Sequence, residues 1–197
     1  MHGTEESPRF VGDAACQAAR LGRVQVGLEI TGDEQPRFDR YLRSAGSAAD
    51  REALVAGSFW SQADGRSSAA MVALIDRVRT LRVAGAAIEL VAYDVLSTGR
   101  DAAMADAVVK ARDASAIFIA LSGNVHSRRN KGVPWDAALV PTVAHLVARG
   151  LPVTTFLDAP AGGTIAARIA TDDHEPTCGV HPNLERAGAA KPRTLGP

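Results

Sequence analysis

"ASAIFIALSGNVH", residues 114–126, decides the fold. Its first eight residues are apolar but for Ser115, with no polar alternation. Such a run marks a strand buried on both faces, as in a parallel sheet under helices. The run closes on Gly123 and Asn124, residues that permit a sharp exit from a strand. The exit presents His126, and then the cations Arg128, Arg129 and Lys131.

Working outward, helical and strand patterns alternate. "RVQVGLEI" (23–30) and "AIELVAYDV" (87–95) read as strands, and "LPVTTFLDA" (151–159) as a fourth. "GGTIAARIA" (162–170) could be a hairpin partner to that last strand. Helices are expected over 9–21, over "DEQPRFDRYLRSAG" with Pro36 in its first turn, over 50–57, over 67–85 and over 101–113. A further helix is expected over 134–150, with Pro141 as a kink or restart. The helix at 67–85 carries the clearest signal, because Met71, Leu74, Ile75, Val78 and Leu81 fall on one face. Gly85 stops it. The pattern defines an α/β fold: a mostly parallel sheet with helices on both faces, in one domain over residues 1–181. Residues 182–197, rich in Pro, Gly and Ala, read as a loose tail.

Composition removes several function classes. The chain has 197 residues, 46% of them hydrophobic and 22% charged, which suits one domain with a buried core. Its 22 basic and 22 acidic residues balance, whereas nucleic-acid binders carry a basic excess. No apolar stretch reaches the roughly 18 residues of a membrane span, and "MHGTEESPRF" does not read as a signal segment. Cys16 and Cys178 have no metal-type spacing; Cys16 reads as a packed thiol, and a bridge between the two would need an oxidising compartment.

Ligands of such sheets bind outside the carboxyl ends of the strands. There the chain places Glu29, then Tyr93 and Asp94, then Arg100 and Asp101, then Asn124 and His126 with the cations behind it, and then Asp158. A parallel unit of this kind ordinarily has a strand before its first helix. "MHGTEESP" starts in a polar loop instead, so that strand is expected to be missing, with His2 where it would end.

"HGTEESP", "VGLEI", "GRDAAMAD" and "LSGNVH", in this order, resemble the Tiki/TraB/ChaN superfamily, which also takes in erythromycin-esterase-like proteins. Its pattern is two GxxH motifs at strand ends, a glutamate after the second strand and an arginine motif opening a helix. Gly123-Asn124-Val125-His126 matches the second GxxH in full. Glu29 matches the glutamate, and Arg100 and Asp101 with Met104 match the arginine motif. His2-Gly3-Thr4 matches only the end of the first GxxH. The resemblance spans residues 2–160 and is nearest to the ChaN-like group, described as haem-binding lipoproteins of iron uptake. It implies a periplasmic or membrane-associated lipoprotein if a signal segment has been removed; the sequence as given points to the cytoplasm.

The residues admit three chemistries. His2, His126 and Glu29 could bind a divalent metal (Mn, Co or Zn) and activate water. They could work without metal, His126 as base and Glu29 orienting it, with Arg100 holding a carboxylate or oxyanion and His2 assisting. They could bind haem, with His126 or Tyr93 as axial ligand and Arg128 and Arg129 pairing with propionates. Asp94, Asp101 and Asn124 complete the expected ligand-binding set. The implied partner is haem or a small anionic ligand, with a homodimer left open.

Overall fold

In a computed structural model, residues 4–62, 64–156, 164–169 and 177–182 are described. The element order is α1 (Glu6–Ala18), β1 (Val24–Thr31), α2 (Gln35–Leu42), α3 (Ala48–Leu54), α4 (Ala69–Val83), β2 (Ile88–Asp94), α5 (Arg100–Ala111), β3 (Ile117–Leu121), α6 (Thr142–Ala148), β4 (Thr164–Ile169) and β5 (Thr177–Pro182). The three-stranded sheet runs β2-β1-β3, with both pairings parallel. The α/β reading holds.

Strand β1 is the axis of the molecule and is buried along nearly all its length. Val24, Val26, Leu28 and Ile30 alternate onto one face, where they meet Val11 and Ala15 of α1, Phe38 and Tyr41 of α2, and Met71, Leu74, Ile75 and Val78 of α4. That α4 stripe is the one its 3.6-residue spacing specified. Gly85, at φ +96, supplies the left-handed residue that ends this helix. The second core, on α5 and α6, gathers Val91, Tyr93, Met104, Ala105, Val108 and Leu146, with Phe118 against them.

The other face of β1 is Gln25, Gly27 and Glu29, and each has a task. Gln25 donates to Ala111 O at 3.1 Å and accepts from Asp113 N at 2.7 Å, tying down the end of α5. Gly27 makes room for the aromatic rings of the second core. A Cβ there would stand 2.8 Å from Phe118 and 3.3 Å from Tyr93. Rigid rings cannot swing aside as a lysine would, so Gly27→Ala is expected to cost about 1–3 kcal/mol of stability by overpacking. A urea midpoint equal to wild type would show that the rings give way freely.

Between Leu28 and Thr31, β1 advances three residues while β2 advances two, from Ala92 to Asp94. One extra residue is thus accommodated where Glu29 lies. Irregularities of this kind re-aim side chains next to functional sites. On the outer edge of β2, the Gln35 side chain donates to Leu90 O (3.0 Å) and accepts from Ala92 N (2.8 Å), taking the place of a strand partner.

Four expectations need correction. The helix expected over 134–150 is only Thr142–Ala148, with Pro141 as the residue before it. Residues 132–139 are instead closed by Gly132 N to Leu139 O and by a Val133–Asp136 bridge. Asp136 Oδ1 takes the amides of Ala138 and Leu139. Proline cannot sit in a helix interior without loss of a bond, so Pro141 begins the helix. Residues 151–156 form no strand, although Leu151 and Val153 pack on the second core; residues 157–159 lie outside the described residues. The segment 164–169 pairs antiparallel with 177–182, not with residues 151–159. Finally, β3 is only partly covered, and Ile117 and Ala120 are exposed. Its apolar run reads as a doubly buried strand, yet among the described residues it is an edge.

Cys16 is a half-buried free thiol on α1. Of Cys178 only the backbone, in β5, is described, and residues 183–197 of the expected tail lie outside the described residues. Among the described residues no helix is long and apolar enough to cross a membrane.

Candidate functional site

The chain runs from β1 to β2 on one side and returns to β3 on the other. The crevice at the carboxyl ends of β1 and β3 is therefore where the strand order reverses, the preferred binding position in open α/β sheets. Register places Leu28 opposite Leu121, so Glu29 stands beside the turn that follows β3. Glu29 is buried. Its Oε2 accepts from Gly123 N at 2.7 Å and from Ser122 Oγ at 3.2 Å, which binds β1 to the GNVH turn.

Arg100, the first residue of α5, lies among the groups that the strands present. Its Nε donates to Asp94 Oδ1 and its Nη2 to Asp94 Oδ2, both at 2.8 Å, a bidentate fork. Nη2 also donates to Glu29 Oε1 at 2.8 Å, and Nη1 lies 3.1 Å from His126 Nε2. One of its five N–H groups, on Nη1 beside His126, has no partner among the described residues. Arg66 approaches from the loop between α3 and α4. Its Nη1 reaches Asp94 Oδ2 at 2.7 Å and stands 3.7 Å from Glu29 Oε1, while its other nitrogens hold Asp64. Its guanidinium lies 5.4 Å from the Phe59 ring centroid.

These contacts favour one tautomer of His126. A guanidinium can only donate, so the 3.1 Å contact suits a lone pair on the Nε2 that faces it, with Glu29 Oε1 farther off at 3.7 Å. The proton is then on Nδ1, which donates to Asp101 Oδ1 at 2.7 Å. The same Asp101 oxygen accepts from Thr142 N and Thr142 Oγ1, each at 2.7 Å. The result is an imidazole oriented by a carboxylate, with its basic nitrogen turned toward the middle of the cluster.

The charges hold one another. Burial alone would raise the Asp94 carboxyl, but the guanidiniums of Arg100 and Arg66 outweigh it and hold the group below the usual carboxylate range. Burial likewise opposes Asp101, which is nonetheless held low by the hydrogen bonds from His126 and Thr142. The bond to Asp94 raises Arg100 despite partial burial, with Glu29 adding to it. Both aspartates are depressed in the folded state. Their contribution to stability is therefore complete above the unfolded value of about 3.9 and is lost as pH falls through the lower native values. Wild type should lose stability steeply below about pH 4, with a shallower slope in Asp94→Asn. Parallel slopes in urea titrations at a series of pH values would refute this assignment.

Of the expected site residues, Glu29, Asp94, Arg100, Asp101 and His126 come together. Tyr93 lies under them: its hydroxyl donates to Leu121 O at 3.0 Å, and burial, with Glu29 nearby, pushes its pKa up. Asn124 and Arg128 are exposed on the turn, as is Lys131 beyond it. Arg129 turns away from the cluster and donates to the backbone oxygen of Val153. His2 and Asp158 lie outside the described residues. Arg66, Ser122 and Thr142 are additions. Only Ser122, beside the GNVH motif, carried a signal in the sequence.

Among the described residues, no three His, Cys, Asp or Glu side chains are grouped to hold a metal ion. Of the expected metal ligands, Glu29 and His126 both lie against the Arg100 guanidinium, which stands where a cation would, and His2 lies outside the described residues. The expected haem ligands are engaged as well. Tyr93 Oη is buried and engaged, and His126 Nε2 faces Arg100. Comparison with protein-family models, with curated proteins and with solved structures found no match.

Proposed function

We propose that this chain is a hydrolase of the Tiki/TraB/ChaN type that cleaves an ester or related acyl bond by activating water at His126. The observation that carries this reading is the relay Asp101–His126 with its lone pair on Nε2. Water entering between Arg100 Nη1 and Nε2 takes over that contact, and the Nε2 lone pair, freed from Arg100, takes its proton as the water oxygen bonds to the carbonyl carbon. The uncommitted N–H on Arg100 Nη1 receives the developing oxyanion. Collapse of the intermediate breaks the bond to the leaving oxygen, which takes the proton back from Nε2. Glu29 and Asp94 hold Arg100 in place for this work and do not themselves react.

The runner-up is a ChaN-like binding protein for haem or a small anionic ligand, linked to iron uptake. Two measurements on the purified chain separate the readings. One is turnover of p-nitrophenyl esters by wild type and His126→Ala; the other is titration with haemin and with Mn²⁺, Co²⁺ and Zn²⁺. Ester turnover lost in the variant supports the hydrolase. A Soret shift at stoichiometric haemin without turnover overturns it in favour of binding. Turnover that appears only with added metal overturns the metal-free version.

A further inference from the structure

His126 and Thr142 stand at the two ends of a 15-residue loop, residues 127–141, and both donate to the same oxygen, Asp101 Oδ1. A fourth bond, Val143 N to His126 O at 3.0 Å, closes the ends directly. The loop is thus an Ω-shaped excursion whose neck is the Asp101–His126 pair. Thr142 is buried and commits both its amide and its hydroxyl to one carboxylate oxygen. Pro141 immediately precedes it, so the chain enters α6 with a preset backbone angle that aims both donors together.

We propose that Thr142 is a positioning residue for His126. By fixing Asp101 Oδ1 from the far side, it holds the imidazole in the Nδ1–H tautomer with Nε2 directed into the cluster. Its two donors leave Oδ1 in one position, along the line to Nδ1. With only the amide left, the carboxylate can rotate and the ring can turn off Arg100 Nη1; away from that donor, it can exchange its proton between the two nitrogens. Groups behind a catalytic or ligating histidine typically matter ten- to a hundredfold.

The inference rests on the hydrolase reading for its kinetic consequence but not for its structural one. The test uses Thr142→Val, which keeps the shape and deletes the donor, and Thr142→Ser, which restores it. The first readout is the ¹⁵N shifts of the His126 ring in the full chain, which report the tautomer without any substrate. The second is ester turnover. Wild type and Thr142→Ser should show Nδ1 protonated and Nε2 bare, while Thr142→Val shows averaged shifts. With a substrate in hand, Thr142→Val should lower kcat about tenfold with KM unchanged, and Thr142→Ser should recover it. Wild-type ring shifts in a folded Thr142→Val would overturn the proposal, because a threonine that only starts a helix leaves the tautomer alone. If no ester is turned over, the hydrolase reading fails and the ring shifts still decide this one.

Discussion

Arg100→Met will lower the free energy of unfolding by about 3 kcal/mol or more. The side chain it removes is the counter-charge of two enclosed carboxylates. Asp94 has no exposed side-chain surface and Glu29 almost none. Methionine replaces the stem of Arg100 but none of its donors, so three charge-assisted bonds vanish at once. Breaking a buried ion pair on one side typically costs about 3–5 kcal/mol, because the surviving charge stays desolvated. The lower end applies here: Arg66 still serves Asp94, and Gly123 N and Ser122 Oγ still serve Glu29. Domains of this kind have only about 5–15 kcal/mol in total, so the shift in urea midpoint should be plain. The double variant Arg100→Met with Asp94→Asn should lose less than the sum of the single losses, since the second change removes the charge that the first stranded. A loss under about 1 kcal/mol in Arg100→Met would mean that water solvates the cluster and that it is not a low-dielectric site.

His126→Ala should behave in the opposite way. Turnover should fall by about a hundredfold to ten-thousandfold, the usual worth of a general base, while stability changes less than in Arg100→Met. His126 contributes one donor to Asp101 and one acceptor to Arg100. Both partners keep others: Thr142 retains two bonds to Asp101, and Arg100 keeps Asp94 and Glu29. Activity and stability therefore separate between the two variants. Ester turnover within about twofold of wild type in folded His126→Ala would remove the imidazole from the reaction.

The sequence reading and the structure agree where local periodicity carries the information. The α4 stripe of Met71, Leu74, Ile75 and Val78 is legible because helical spacing puts those residues on one face whatever they pack against. Glu29, Asp94, Arg100 and His126 are legible as a group because each follows an apolar strand or opens the next helix, and parallel strands carry such positions to one edge. The run at 114–121 misleads, since apolar character does not reveal whether a neighbouring strand covers it. Residues 134–141 mislead likewise: their composition suits a helix, but Pro141 and the Asp136 turn divide the segment.

By itself, the sequence determined the α/β class, the order of its principal helices and three parallel strands, and the gathering of a glutamate, an arginine and a histidine at one sheet edge. Apolar periodicity and strand-end position are local properties, and they are printed in the chain. The tertiary structure alone decided which partner each charge takes. Arg66 enters from a polar loop, Thr142 arrives after a 15-residue excursion, and Arg129 turns away to Val153. Hydrogen bonds act over about 3 Å while the sequence separations here run to dozens of residues, so such pairings exist only once the sheet has brought the loops together.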